Sequence, residues 1–182
     1  MLGTFTGLGL GVVESRFDPN AVSKKGAVGV YQFMEVAAKE VGLKDRRKPV
    51  EAVEAAIEYT TRKYGEVKQK IISETKGDRS LLAKYTVGDV LALTYAAYNG
   101  GAAHIGPISI KNARTGADLV DVPNESKNYG TRVLGWSKTL RKGAWPENTG
   151  KNKSQSDMVK KLAELHGLDV NMLEELLSKK AF

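Results

Sequence analysis

The sequence predicts an all-α chain, and three observations carry that prediction. Apolar and small residues recur at helical spacing through Val50, Val53, Ala56, Ile57, Thr60, Tyr64, Val67 and Ile71. A second run, Val90-Leu91-Ala92-Leu93-Thr94-Tyr95-Ala96-Ala97-Tyr98, is apolar on nearly every side, as a helix buried at the centre of a domain is. Clusters of Gly, Pro, Asn and Asp punctuate the periodic segments.

In chain order, a first helix runs to about Ser15 with Gly7, Gly9 and Gly11 inside it. Each glycine costs roughly 0.5–1 kcal/mol relative to Ala in a helix interior, which is tolerable where another helix packs closely or the first turns are irregular. Asp18-Pro19-Asn20 is a turn by composition, and Ser23-Lys24-Lys25-Gly26 continues as loop. A short helix follows from about Val30 to Val41, ending near Gly42. Pro49 sits where a first helical residue belongs, and the long helix after it breaks at Gly77-Asp78. Thr86-Val87-Gly88-Asp89 leads into the central helix, which Asn99-Gly100-Gly101 stops. Residues 106–122 read as a loop and Pro123 to Arg141 as another helix. Residues 143–156 are polar and rich in Gly, Lys and Asn, a linker, and 157–168 and 170–180 form two short amphipathic helices joined at Gly167-Leu168-Asp169.

The 182 residues thus divide into one domain of ordinary size, 1–142, a linker, 143–156, and a helical appendage, 157–182. The appendage faintly resembles the helices of a LysM wall-binding module, but the strands of such a module are missing. A segment this short seldom folds alone and is expected to dock on the main domain or on a partner. No cysteine is present, which removes disulfides and thiolate metal sites. No run approaches the length needed to span a membrane, so no membrane insertion is expected. The net charge of +7 and pI near 9.5 fit nucleic acid, an anionic polymer such as the cell wall, or plain solubility. The basic residues are scattered along helices and no nucleic-acid fold motif is visible, so no nucleic-acid partner is expected. Residues 1–13 are apolar but lack a basic leader and a cleavage site, and are read as part of the mature fold.

Chemistry concentrates in four pieces. The first is Glu14-Ser15 with the turn after it and the loop Ser23-Lys24-Lys25-Gly26-Ala27-Val28-Gly29. The second is Gly29-Val30-Tyr31-Gln32, the third Ala97-Tyr98-Asn99-Gly100-Gly101, and the fourth Glu125-Ser126-Lys127-Asn128-Tyr129. A Glu that closes an apolar segment is placed for partial desolvation, which lets a carboxyl keep its proton nearer neutral pH. Asp18 is the nearest further carboxylate, but directly before Pro19 it reads as a turn residue. His104 and His166 are far apart and without ligand partners, and no metal or nucleotide motif is present.

These four pieces, in this order, resemble the soluble-lytic-transglycosylase (SLT) family, whose pattern has Glu-Ser, Ser-x-x-Gly-Ala-x-Gly, Gly-Leu-Met-Gln, Ala-Tyr-Asn-x-Gly and Glu-Thr-x-x-Tyr. The resemblance covers about Val12 to Leu140, and Ala55 to Tyr59 falls where the family has a small-residue helix ending in Tyr. Tyr31 stands where the family has Met, and Glu35 where it has Pro.

The resemblance implies a lysozyme-like α-helical transglycosylase domain over 1–142 that cuts the β-1,4 bond between N-acetylmuramic acid and N-acetylglucosamine in peptidoglycan. It implies no cofactor and 1,6-anhydromuramoyl products. Glu14 is then the single acid and base, with Ser15, Tyr31, Gln32, Tyr98, Asn99, Glu125 and Tyr129 binding substrate. Tyr129 matches the tyrosine that hydrogen-bonds the catalytic Glu, and Gln32 the residue that meets the N-acetyl group. Each also has a plainer reading: Ser15 as helix cap, Gln32 as a buried amide, Tyr98 and Tyr129 as core, Asn99 as C-cap. The alternatives for the whole chain are a hydrolysing muramidase of the goose-type lysozyme kind, or a non-catalytic basic protein binding the wall or nucleic acid. A wall enzyme without an export signal points to a phage-encoded protein, carried in the virion or released at lysis, with a secretion-system enzyme as the alternative. In either setting 157–182 is the segment expected to meet a virion or secretion-apparatus protein.

Overall fold

Helix α1 (Thr4–Ser15) has a glycine at position 11 for a local reason. At its end the chain does not run on but reverses through two consecutive left-handed residues, Arg16 (φ 55°) and Phe17 (φ 64°). The N–H of Arg16 donates to the Val12 carbonyl and that of Phe17 to the Gly11 carbonyl, 3.2 and 3.3 Å, satisfying the last carbonyls of the helix. Phe17 folds back so closely that a Cβ on Gly11 would lie 2.5 Å from its ring. Gly11 is the gap the Phe17 ring fills.

The computed structural model describes residues 4–115 and 118–141, and these fall into two compact units. The first comprises 4–57 and 135–141, the second 58–115 and 118–134. Among the described residues the class is all-α, as the sequence predicts: the β pairing is limited to the isolated bridges Val22 to Val28 and Val28 to Phe33. The predicted linker 143–156 and the helices 157–168 and 170–180 lie outside the described residues.

In the first unit the helix expected over Val30 to Val41 is shorter. Helix α2 is Glu35–Glu40, because Gly29 (φ 82°) and Gln32 (φ 47°) stand in the left-handed region and no α-helix can pass through them. Glu35 opens α2 and pairs with Lys39 one turn on, whose ammonium holds the Glu35 carboxyl below its ordinary range. The first unit's core draws on Leu8, Leu10 and Val12 of α1, Phe17, Val28, Val30, Tyr31 and Phe33 of the loop, and Ala52, Ala55 and Ala56 of α3 (Pro49–Glu74).

The second unit is built around one helix. After Gly77 (φ 75°), Asp78 caps a single turn, α4 (Arg79–Leu82), that the sequence did not announce. Thr86 then starts α5 (Val87–Gly100) with a reciprocal capping box: its hydroxyl accepts the Asp89 N–H while the Asp89 carboxylate accepts the Thr86 N–H. Leu93 and Ala97 of α5 are fully buried among Val67 and Ile71 of α3, Ala102 and Ile105 of a 3-10 turn, Ile110 and Ala113, and Leu119 and Val122. Gly101 (φ 86°) ends α5.

The stretch 106–122 is not wholly loop, as its Gly, Pro and Asn suggested. Pro107 takes the first position of α6 (Pro107–Ala113), and the Asp121 carboxylate, thirteen and twelve residues on, accepts the N–H groups of Ile108 and Ser109. The cap is non-local, so no nearby sequence signal marks the helix. Likewise the helix expected from Pro123 starts later: a 3-10 turn, Asn124–Ser126, precedes α7 (Tyr129–Arg141). Gly130 lets α7 press on α5, since a Cβ there would overlap the backbone of Ala92.

Candidate active site

Glu14 is half-buried on the last turn of α1 in the first unit. Its neighbour Ser15 ties that turn to a piece of chain fifteen residues away: the Ser15 hydroxyl donates to the Val30 carbonyl at 2.8 Å and accepts the Asp18 N–H at 3.1 Å. Asp18 accepts the Asn20 N–H at 2.8 Å, an Asx turn, so its carboxylate serves the bend that follows Glu14. The Ser15 hydroxyl thus has a local structural part, joining the end of α1 to the bend after it and to Val30.

The piece of chain that Ser15 reaches is a tight reversal. Val28 and Phe33 exchange both backbone hydrogen bonds at 3.1 Å, and Gln32 N–H donates to the Gly29 carbonyl at 3.1 Å. Gly29 cannot be another residue: φ is +82° and a Cβ would overlap the carbonyl oxygen of Arg46. Arg46 also spans the loop with its side chain, one guanidinium nitrogen donating to Gly26 O at 3.1 Å and Phe33 O at 2.9 Å. Sequence reasoning missed Arg46. Within Lys44-Asp45-Arg46-Arg47-Lys48 it looks like any solvated charge, and only the fold shows which cation turns inward.

Gln32 holds a strained φ of 47°, an energetic cost on the order of 1–3 kcal/mol that the surrounding loop must enforce. Its amide nitrogen donates to two backbone carbonyls, Gly29 O at 2.8 Å and Ala21 O at 3.1 Å. Both N–H groups are thereby spent. The amide orientation is fixed, since carbonyl oxygens only accept, and Oε1 is left as an acceptor without a protein partner among the described residues. Tyr31, next to it, is 2% exposed and belongs to the core of the unit, so its ring offers almost no surface to a ligand.

The second unit brings together another set. Tyr98 is buried at the C-terminal end of α5 and meets Tyr59 edge-to-face, ring centroids 5.2 Å apart and planes at 80°. Lys63, its side chain only 11% exposed, lies over the Tyr59 ring at 4.8 Å and pairs with Glu66 at 3.0 Å. Asn99 is exposed and its Oδ1 accepts the Ser126 hydroxyl at 2.8 Å, which places Glu125, also exposed, beside the end of α5. Tyr129 is buried at the start of α7. Glu14, Ser15, Tyr31 and Gln32 therefore belong to the first unit, and Tyr98, Asn99, Glu125 and Tyr129 to the second. Among the described residues no group of three or more His, Cys, Asp or Glu side chains could hold a metal ion, and no helix is long and apolar enough to cross a membrane.

The chain is 28% identical over 163 residues to the membrane-bound lytic murein transglycosylase D of Escherichia coli K12, an alignment covering 86% of this chain and 32% of that protein. The protein of the same name from Escherichia coli O6:H1 aligns with the same figures. The chain thus spans about a third of the length of the curated relatives it matches. The family model of the transglycosylase SLT domain matches residues 8–120, a span that holds Glu14, the Gly29–Gln32 turn and the end of α5. The chain belongs to the transglycosylase SLT domain family.

Proposed function

We propose that this chain is a peptidoglycan lytic transglycosylase that cleaves the β-1,4 bond between N-acetylmuramic acid and N-acetylglucosamine and leaves 1,6-anhydromuramoyl ends. Glu14 is its single general acid and base. The observation that carries the reading is the 2.8 Å bond from the Ser15 hydroxyl to the Val30 carbonyl, which joins the turn bearing Glu14 to the turn bearing Gln32. Two motifs of unrelated sequence position become one local constellation, as a reacting carboxyl and an amide that grips the sugar require.

The steps balance with one carboxyl. The Glu14 carboxyl donates its proton to the glycosidic oxygen as the bond from that oxygen to the muramic C1 breaks. The substrate's own acetamido group stabilises the cationic C1. The Glu14 carboxylate then takes the proton from the muramic 6-hydroxyl while O6 closes on C1. One C–O bond breaks, one forms, and no water is consumed. The Gln32 Oε1 accepts the N–H of an N-acetyl group, the one role its locked amide leaves open. Ser15 positions Glu14, and Tyr31 supports the turn from the core beneath it rather than as an open sugar platform. Tyr98, Asn99, Glu125 and Tyr129 of the second unit bind the glycan strand.

Digestion of purified sacculi in H2(18)O, followed by mass spectrometry of the muropeptides, tests this. Anhydromuramoyl ends without label are expected. Reducing ends carrying the heavy oxygen would make the enzyme a hydrolysing muramidase instead.

A further inference from the structure

The AYN motif puts Asn99 at the last turn of α5, and its amide is held in one orientation by a residue with no assigned part in the site. Ser126 is fully buried, and its hydroxyl donates to Asn99 Oδ1 at 2.8 Å. The approach is enforced from two sides. A Cβ on Gly100 would lie 2.5 Å from Ser126 Oγ and 3.2 Å from the Pro123 ring, so Gly100 is the residue that lets the 3-10 turn Asn124–Ser126 close on the end of α5. The N–H of Ser126 donates to the Pro123 carbonyl at 2.8 Å and fixes the turn itself. With Oδ1 occupied, the exposed side chain of Asn99 presents Nδ2, whose two N–H groups have no protein partner among the described residues.

We propose that Ser126 is a positioning residue that holds Asn99 as a hydrogen-bond donor towards an acceptor oxygen of the glycan, a sugar hydroxyl, ring oxygen or acetamido carbonyl. The inference rests on the reading above that the end of α5 meets the glycan strand. Without the Ser126 hydroxyl the amide turns freely about its last bond and meets the substrate with its oxygen as often as with its nitrogen. A serine that only packed would give the same loss whatever stood at position 99.

A double-mutant cycle separates the two. Ser126→Ala and Asn99→Ala should each lower kcat/KM on sacculi about tenfold, the worth of one hydrogen bond made to substrate. In Asn99→Ala the further change Ser126→Ala should cost nothing more, since Ser126 then has no amide to orient. Asn99→Asp still accepts from Ser126 but sets an oxygen against the substrate's oxygen, and should fall below Asn99→Ala. Additive losses would overturn the inference, as would an Asn99→Asp variant as active as the parent. The same cycle is read in Kd for isolated glycan strands, which requires no turnover. Strands bound with wild-type affinity by every variant would sink this inference alone, whereas wild-type protein that neither binds nor cuts strands would sink the functional reading with it. Thermal melts of all four proteins establish that each is folded.

Discussion

Between Arg16 and Gln32 the first unit turns Arg16, Phe17, Gly26, Gly29 and Gln32 into the left-handed region, whereas α5 of the second unit carries its chain to Asn99 without one such residue. The first unit holds its site by backbone: reversed turns, carbonyls capped by Ser15 and Arg46, and a glycine pressed on a neighbouring carbonyl. The second holds its site by volume, around a helix whose Leu93 and Ala97 have no exposed surface. Even the two amides are fixed in opposite senses. Gln32 spends its nitrogen on the loop and keeps an acceptor, while Asn99 spends its oxygen on Ser126 and keeps its donors. A loop can carry a precise amide only if backbone bonds lock it, whereas a packed helix end needs a single side-chain partner.

Adding a methyl group should therefore break the first unit, and removing several should break the second. Gly29→Ala combines a left-handed φ with overlap on Arg46, and should destabilise by about 4 kcal/mol in urea unfolding, with activity lost alongside. Leu93→Ala leaves a cavity in the second unit and should cost about 3 kcal/mol, but with kcat unchanged in the protein that remains folded. Equal activity losses per folded molecule in the two variants would erase the distinction. Arg46→Gln removes a donor shared by two loop carbonyls at a cost of about 1–2 kcal/mol, and should lower kcat/KM more than stability because Gln32 sits in the loop it spans. The smallest effect concerns Asp78. Hydrogen bonds from the Ser80 hydroxyl, then from the Ser80 and Leu81 N–H groups, hold its carboxyl below the ordinary value of 3.8. A depressed folded value contributes stability above the unfolded one, which is lost as pH falls below about 3.8 through the folded value. Asp78→Asn should therefore flatten the acid limb of the Tm profile slightly and leave the neutral Tm almost unchanged.

The helices with local signals were legible. The long apolar periodicity gave α3, Pro49 its start, Gly77 its end, and the apolar run Val90 to Tyr98 gave α5. What escaped was non-local. The helix α6 depends on Asp121, the late start of the helix expected from Val30 on contacts of Gly29 with Arg46, and neither partner is near in sequence. The candidate site residues stood out as motifs, but not what each side chain touches. Tyr31 was expected to contact sugar and lies in the core; Arg46, one cation among several, drew no reading and spans the loop; Ser126, part of the fourth motif but given no role of its own, grips Asn99.

The proposed mechanism requires Glu14 to be the one group that both gives and takes the proton. Glu14→Gln keeps the side chain's shape and removes its acidity, so the release of anhydromuramoyl ends from purified sacculi by a variant with wild-type Tm reads that role alone. A fall of about 10²–10⁴ in rate is predicted. Anhydro ends formed at the parental rate would contradict the assignment and move the chemistry to another residue.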